Sequence, residues 1–208
     1  MNVMNVKGLE ARMRPSVCGV GYLGCNLELK ASYNGKKCPI YYAWVRMFER
    51  CYSKKFHRIN PTYVGCTVSE EFKDYSKWRE WYDNYQYKHD GWHLDKDLLF
   101  KGNKIYSEST CVFIPREINQ VLVKREASRG EHLIGVNWCK TKKAFKATVR
   151  RNKGKQEHLG YFKTEIEAHL AYKQAKESYL KELADKYKDL LDPRAYEALY
   201  NYTVDIDD

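Results

Sequence analysis

The chain has 208 residues, 43% of them hydrophobic, and its 37 Lys/Arg outnumber its 27 Asp/Glu to give a net charge of +10. No apolar run reaches the ~18 residues that cross a membrane, and the opening MNVMNVKGLEARMR lacks the apolar core of a signal peptide. Seven cysteines without a C-x-x-C pair argue against a secreted disulfide framework. We therefore predict a cytoplasmic α+β protein of one ordinary or two small domains.

The N-terminal half carries two aromatic stripes at helical spacing. Residues 1–37, which precede them, are predicted as an irregular arm or a hairpin because they contain the turn sequence SYNGKKC. The stripes, with rings three and four positions apart, cover residues 41–52 and 72–85 and predict two core-facing helices. Thr67 and Glu70 have the spacing of a capping box, which predicts the start of the second helix.

Four cysteines of this half, Cys38, Cys51, Cys66 and Cys111, are candidate ligands for a structural zinc ion. Their spacings match no standard zinc finger. We therefore favour buried, reduced thiols over a zinc site.

The stretch WHLDKDLLFKGNKIYSESTCVFIP places acidic residues in a basic protein. Asp95 and Asp97 alternate with His93 on one predicted strand face, and CVFIP predicts a second strand. Two interpretations stay open. The carboxylates hold a divalent cation, or they pair with Lys96, Lys101 or Arg116 or cap the turn.

A family resemblance covers the same region. The runs WVRMFERCY from Trp44, YVGCTVSEEF from Tyr63, LDKD from Leu94 and NKIYSESTCVFIP from Asn103 resemble the N-terminal half of phage HNH-type homing endonucleases. The resemblance implies an aromatic-rich, ββα-metal-like domain that uses Mg²⁺ or Mn²⁺. In that family a histidine acts as general base on water, an asparagine positions it, and Asp/His ligands hold one divalent ion.

The family's catalytic positions are occupied differently in this chain. Lys96 stands near the position of the base histidine, and Thr110 stands at the position of the asparagine. A lysine does not act as a base at pH 7 unless its pKa of ~10 is strongly lowered. The constellation that we predict instead is His93 as base, Asp95 and Asp97 as metal ligands, and Asn119 as polar partner.

Beyond the charged stretch VKREASRGE, which is predicted as a linker over 123–131, three runs of period-two alternation predict a three-stranded antiparallel sheet within 132–163. Phe145, Ala147 and Val149 point to one face of its middle strand. The other face carries Lys146, Thr148 and Arg150.

Charge concentrates on this predicted sheet. Residues 132–163 contain nine Lys/Arg and one acid, Glu157, so this segment carries +8 of the total +10. Cations on the solvent face of a small sheet, with side chains that can read base edges among them, favour contact with a DNA groove. The predicted DNA-binding residues are Asn137, Lys140, Lys142, Lys143, Lys146, Thr148, Arg150, Arg151, Lys153, Lys155, Gln156 and His158.

A second resemblance supports this interpretation. Thr164 and Glu167 form a capping box, and small and aromatic residues recur behind them at helical spacing. The runs IGVNWC from Ile134, FKATV from Phe145 and HLGYFKTEIEAHLAYKQA from His158 are similar to the AP-two (ethylene-response-factor type) DNA-binding domain. The resemblance implies a three-stranded sheet in the major groove, packed on one helix.

The predicted domains are an arm (1–37), an HNH-endonuclease-like domain (38–122), a linker (123–131), an AP-two-like domain (132–190), and a short helix with an acidic tail (191–208). A fragment from about residue 128 is expected to fold alone. The predicted function is double-stranded DNA binding with metal-dependent cutting or nicking, in the bacterial host cytoplasm if a phage encodes the protein. The alternative is a catalytically inactive DNA-binding protein that regulates or inhibits a host DNA-processing or defence system, with a host protein as partner.

Overall fold

The computed structural model describes residues 3–123, 131–151 and 155–206. The predicted linker residues 124–130, Lys153 and residues 207–208 of the tail lie outside the described residues. The helices are α1 Val3–Arg12, α2 Pro39–Tyr52, α3 Lys54–Ile59, α4 Glu70–Lys73, α5 Tyr75–Asn84, α6 Arg116–Leu122, α7 Glu165–Lys186 and α8 Pro193–Tyr200. The strands are β1 Ser32–Tyr33, β2 Lys36–Lys37, β3 Thr67–Val68, β4 His93–Asp95, β5 Ile105–Tyr106, β6 Val112–Ile114, β7 Val136–Cys139, β8 Ala144–Arg151 and β9 Lys155–Phe162.

The chain forms two compact units, and they run differently from the predicted domains. The first unit is Met1–Gln86 with Phe100–Cys111, and the second is Tyr87–Leu99 with Val112–Asp208. Residues 87–99 and 112–122, predicted as part of the HNH-like domain, therefore belong with the C-terminal half of the chain.

The first unit is organised around buried rings. Trp44, Phe48, Phe72, Tyr75 and Trp78 are each at most 1% exposed. The indole of Trp44 donates a 2.7 Å hydrogen bond to the carbonyl oxygen of Phe72, which joins α2 to α4. Both aromatic stripes lie in the core, as predicted. The indole N–H of Trp44 also forms a hydrogen bond between two helices.

The sequence pattern predicts one continuous helix for the second stripe. The structure divides this stripe between α4 and α5. Asp74 interrupts it with extended backbone and caps α5, because its side chain accepts a hydrogen bond from the Ser76 N–H. Ser69 caps α4 in the same way through the Phe72 N–H. The predicted capping box of Thr67 and Glu70 is wrong, since Thr67 lies in β3 instead.

The N-terminal arm is held by one arginine. The Arg12 guanidinium at the end of α1 donates to the carbonyl oxygens of Leu23, Gly24, Asn26 and Leu29. These four carbonyls lie outside helices and strands. The arginine therefore donates hydrogen bonds that the loop would otherwise receive from water. The predicted hairpin is present at β1 and β2, whose turn residues Asn34 and Gly35 both have positive φ.

The three-stranded sheet of the second unit is antiparallel in the order β7-β8-β9, as predicted. Helix α7 begins at the predicted capping box of Thr164 and Glu167. Ala147 and Val136 pack against Ala168 of α7. Close packing here requires a glycine before β7, because a Cβ on Gly135 would lie 2.1 Å from the Tyr172 ring and its φ is +82°.

The far end of α7 packs on a second structure, formed by β4, β6 and α6. β4 and β6 pair antiparallel, with His93 opposite Ile114 and Asp95 opposite Val112. Val112 and Ile114 of β6 and Ile118 of α6 share one buried cluster with residues of α7 and α8. Its buried members are Leu98, Val112, Ile114, Ile118, Tyr179, Leu180, Leu183, Ala184, Leu191, Ala195 and Leu199.

Glu117 adds a polar connection between α6 and α7. Its carboxylate accepts hydrogen bonds from the Lys186 ammonium at 2.6 Å, the Tyr187 hydroxyl at 3.0 Å and the Tyr179 hydroxyl at 3.4 Å. The hydrogen bond from Lys186 is the largest cause that lowers the pKa of Glu117 below its usual value. The charged carboxylate is therefore the form that stabilises this contact.

The C-terminal segment is packed beyond α8. This helix is capped by Asp192 and has Pro193 in its first turn. After it, Val204 is 1% exposed and its N–H donates to Glu177, so the packed chain extends to this residue. Within the described part of the chain, none of the helices combines the length and the apolar character that crossing a bilayer demands.

Candidate nucleic-acid interface

One row of side chains crosses the solvent face of the sheet. In the strand register Asn137 pairs with Lys146, and Lys146 pairs with Tyr161. Paired residues on neighbouring strands project from the same face, so an amide, an ammonium and a phenol stand side by side. The opposite face is occupied by Ala147 and Val149, which are buried.

A second group continues this face toward the other end of the strands. Thr148 pairs with His158, and Arg150 pairs with Gln156. The Gln156 amide donates a 2.9 Å hydrogen bond to the Thr148 hydroxyl, which is itself 7% exposed. Arg150, Gln156 and His158 are exposed, so a ligand can reach them, whereas Thr148 is buried and accepts the hydrogen bond from Gln156.

Tyr161 was missed by sequence reasoning because of a bulge in β9. The register shifts between Ala147 and Thr148, so that Leu159 is an additional residue on β9. Strict alternation from His158 would place Tyr161 inside; the bulge turns it outward, 46% exposed, with its ring 4.7 Å from that of His158. The sequence signal was Gly160, which has a φ of +147° that favours glycine.

The remaining predicted cations lie at the ends of the strands. Lys140, Lys142 and Lys143 are exposed in the turn between β7 and β8, and Lys155 is exposed at the start of β9. Flexible lysines at a hairpin turn can reach phosphate groups without fixing a base contact. The turn therefore supplies charge next to the row of Asn137, Lys146 and Tyr161.

Arg151 does not contribute a free cation to this face. Its guanidinium donates to the Glu182 carboxylate at 3.2 Å and to the Ala175 carbonyl oxygen, and it lies 5.2 Å from the centre of the Tyr179 ring. Its Nε is also 3.1 Å from Glu157, the acid of the 132–163 segment. Arg151 has the inward phase of Ala147 and Val149, so it holds the sheet to α7, and the prediction of DNA contact is corrected.

The second unit also brings His93 and Asn119 together. The Asn119 amide lies 3.0 Å from Nδ1 of His93, which joins the first residue of β4 to the middle of α6. His93 as a residue is exposed. For Nε2 to accept a proton, the amide must present its oxygen to an Nδ1–H, and a half-turn of the amide achieves this without moving the other atoms.

Asp95 and Asp97 make the contacts of the second interpretation, a turn cap and a pair with Lys96. Asp95 Oδ1 accepts the N–H groups of Asp97 and Leu98 at 3.0 and 2.8 Å and so caps the turn after β4. Asp97 Oδ2 lies 3.1 Å from the ammonium of Lys96, which is buried. Burial, with the Asp97 charge as second cause, raises the pKa of Asp95 to about 6.

These two carboxylates do not fit a Mg²⁺ or Mn²⁺ site. The positive charge of the Lys96 ammonium repels a metal cation at Asp97. One carboxylate oxygen of Asp95 already accepts hydrogen bonds from two backbone N–H groups. Among residues 3–123, 131–151 and 155–206, no three His, Cys, Asp or Glu side chains are grouped to hold a metal ion. The four cysteines considered for zinc, at 38, 51, 66 and 111, are buried, and none of the four forms a disulfide.

Thr110, at the position of the family's asparagine, has a local role in the first unit. Its hydroxyl donates to the Ile105 carbonyl oxygen at 2.7 Å and accepts the Ser107 N–H at 3.1 Å. These bonds close the turn between β5 and β6. Thr110 is a turn residue in this fold, and Asn119 supplies the amide next to a histidine.

Comparison of the chain with protein-family models, with curated proteins and with solved structures gives no match in any of the three. The two family resemblances of the sequence therefore stay predictions.

Proposed function

We propose that this protein binds double-stranded DNA through the outer face of its three-stranded sheet. The observation that carries the proposal is the row of Asn137, Lys146 and Tyr161, continued by Arg150 and bordered by the lysines of the β7–β8 turn. An amide and a guanidinium can read base edges, and the ammonium groups can neutralise phosphates.

Charge distribution supports the same partner. The acid within residues 132–163, Glu157, pairs with Arg151 and therefore does not oppose phosphates on the outer face. A small sheet backed by a helix is also rigid enough to enter a major groove as a unit. An RNA-binding function ranks lower, because no run of the sequence resembles an RNA-stacking motif.

Replacing Tyr161 tests which face carries the interface. Tyr161→Ala is expected to weaken binding to a DNA duplex by about tenfold, because the ring lies between Lys146 and His158 where a base edge or sugar would pack. The matched control is Tyr200→Ala, which removes another exposed tyrosine, on α8. Fluorescence anisotropy titrations of both variants decide the matter; equal losses for the two tyrosines would contradict the assignment.

The contact between His93 and Asn119 favours a second candidate, an endonuclease. An imidazole oriented by an amide is the arrangement that activates water in HNH nucleases. We expect His93→Ala and Asn119→Ala each to abolish any nicking of supercoiled plasmid in Mg²⁺ or Mn²⁺ while duplex affinity is unchanged. Gln120→Ala, the neighbouring amide on α6, is the control, and nicking that survives in His93→Ala rejects this candidate.

A further inference from the structure

Helix α3 in the first unit presents a cationic face that the proposed function does not use. Lys54, Lys55, Arg58 and Ile59 are exposed, and the helix contains no buried residue. At 100° per residue these four side chains project within about 140° of one another. They therefore form one surface rather than a ring of charge around the helix.

The opposite side of α3 is fixed by two contacts. The Phe56 ring packs against that of Tyr63 at 5.5 Å, and Nε2 of His57 lies 2.8 Å from the Arg50 carbonyl oxygen. The Ser53 hydroxyl caps the helix through the Phe56 N–H. The cationic face is thus held in position and does not depend on a mobile loop.

No acid balances this face. Residues 50–69 contain Arg50, Lys54, Lys55 and Arg58 and no Asp or Glu, whereas residues 70–86 contain five acids against three basic residues. Within the part of the chain that the structure describes, neither Lys54, Lys55 nor Arg58 forms an ion pair. Residues 50–69 therefore carry +4 within twenty positions, and three of the four cations lie on α3.

Lys104 and exposed apolar side chains extend the surface. The Lys104 ammonium donates a 2.7 Å hydrogen bond to the Thr62 carbonyl oxygen, in the turn after α3. Ile59, at the edge of the cationic face, is 75% exposed, and Val64, two residues after Thr62 in the chain, is 57% exposed. A purely solvated charged face has no need of large exposed apolar side chains, so their exposure favours an interface.

We infer that the surface of Lys54, Lys55, Arg58 and Lys104, the α3 surface, is a second contact for the sugar–phosphate backbone of DNA. Clustered cations without acids complement a polyanion, and Ile59 and Val64 suit the apolar faces of deoxyribose. The surface lacks exposed Asn, Gln or aromatic groups that read bases, so it adds affinity without sequence preference. The inference rests on the proposed function for its choice of polyanion.

Chemical protection in the full-length protein tests the surface directly. Acetylation of lysines by acetic anhydride, read by mass spectrometry, is expected to slow at Lys54 and Lys55 when a DNA duplex is added. Lys30 and Lys77, exposed elsewhere in the first unit, are internal controls whose labelling is expected to be unchanged. Undiminished labelling of Lys54 and Lys55 under saturating duplex would overturn the inference.

A charge-matched pair of variants completes the test. Lys54→Gln/Lys55→Gln/Arg58→Gln is expected to flatten the slope of log K against log salt by about 2.7, since each lost phosphate contact contributes about 0.9. Lys30→Gln/Lys36→Gln/Lys77→Gln changes the net charge equally and is expected to leave the slope in place.

Failure of the inference and failure of the proposed function give different results. Equal effects of the two triple variants, or no effect of either, overturn the α3 surface, while weakened binding by Tyr161→Ala still supports the sheet. Absence of duplex binding by the wild-type protein overturns both. Melting curves of the triple variants establish that they are folded, as expected for exposed side chains.

Discussion

A fragment that begins at residue 128 is expected not to fold, although the sequence pattern predicts an independent DNA-binding module there. Helix α7 buries Leu180 and Leu183 against Leu98, Val112, Ile114 and Ile118, all of which precede the cut. Burying four such side chains contributes about 6–12 kcal/mol. That amount is comparable to the whole stability of an ordinary domain, about 5–15 kcal/mol.

The control fragment begins at residue 87 and keeps the complete second unit. It retains β4, β6 and α6, together with the hydrogen bonds from Lys186, Tyr187 and Tyr179 to Glu117. We expect cooperative thermal unfolding by circular dichroism for residues 87–208 and no such transition for residues 128–208. A cooperative transition in the shorter fragment would show that the sheet and α7 are self-sufficient.

Features encoded by neighbouring residues were predictable from the sequence. The alternation of Phe145, Ala147 and Val149 defines the inner face of β8, and the spacing of Thr164 and Glu167 defines the start of α7. Each depends on a period or a cap within a few residues. These local rules placed the sheet and its helix correctly.

Features that depend on distant partners were not predictable in the same way. Burial of Val112 and Ile118 against α7 joins residues about sixty positions apart, and no periodicity records it. The same holds for Val204, whose N–H is bonded to Glu177. A domain boundary drawn at a charged, non-periodic stretch therefore separated residues that share a core.

The candidate site divided along the same lines. Asn137, Lys146 and Arg150 were predicted on the outer face from alternation, and the structure places them there. By the same alternation Arg151 points to the inner face of the sheet, although its charge alone predicts contact with DNA. Phase along a strand is a better guide than charge, except where a bulge such as that at Leu159 resets the phase.

Affinity for DNA is expected to depend steeply on salt. If the five cations at Lys140, Lys142, Lys143, Lys146 and Arg150 each contact a phosphate, the sheet contributes about −4.5 to the slope of log K against log salt. Through this contribution alone, raising salt from ~50 to ~200 mM should weaken binding by roughly several hundredfold. Anisotropy titrations across this range measure the slope, and a value shallower than about −2 would contradict the interface.

Two double variants test whether the salt dependence of DNA affinity arises from the lysines of the β7–β8 turn. Lys142→Gln/Lys143→Gln is expected to flatten the slope by about 1.8, because two phosphate contacts are lost. Lys181→Gln/Lys188→Gln, which removes two exposed lysines outside the sheet, changes the net charge equally and is expected to leave the slope unchanged. Arg151→Gln should lower the melting temperature without changing the slope, because the Arg151 guanidinium binds Glu182 and Ala175 rather than phosphate. A slope that flattens equally in both double variants would mean that net charge, and not the placement of the turn lysines beside Lys146, drives association.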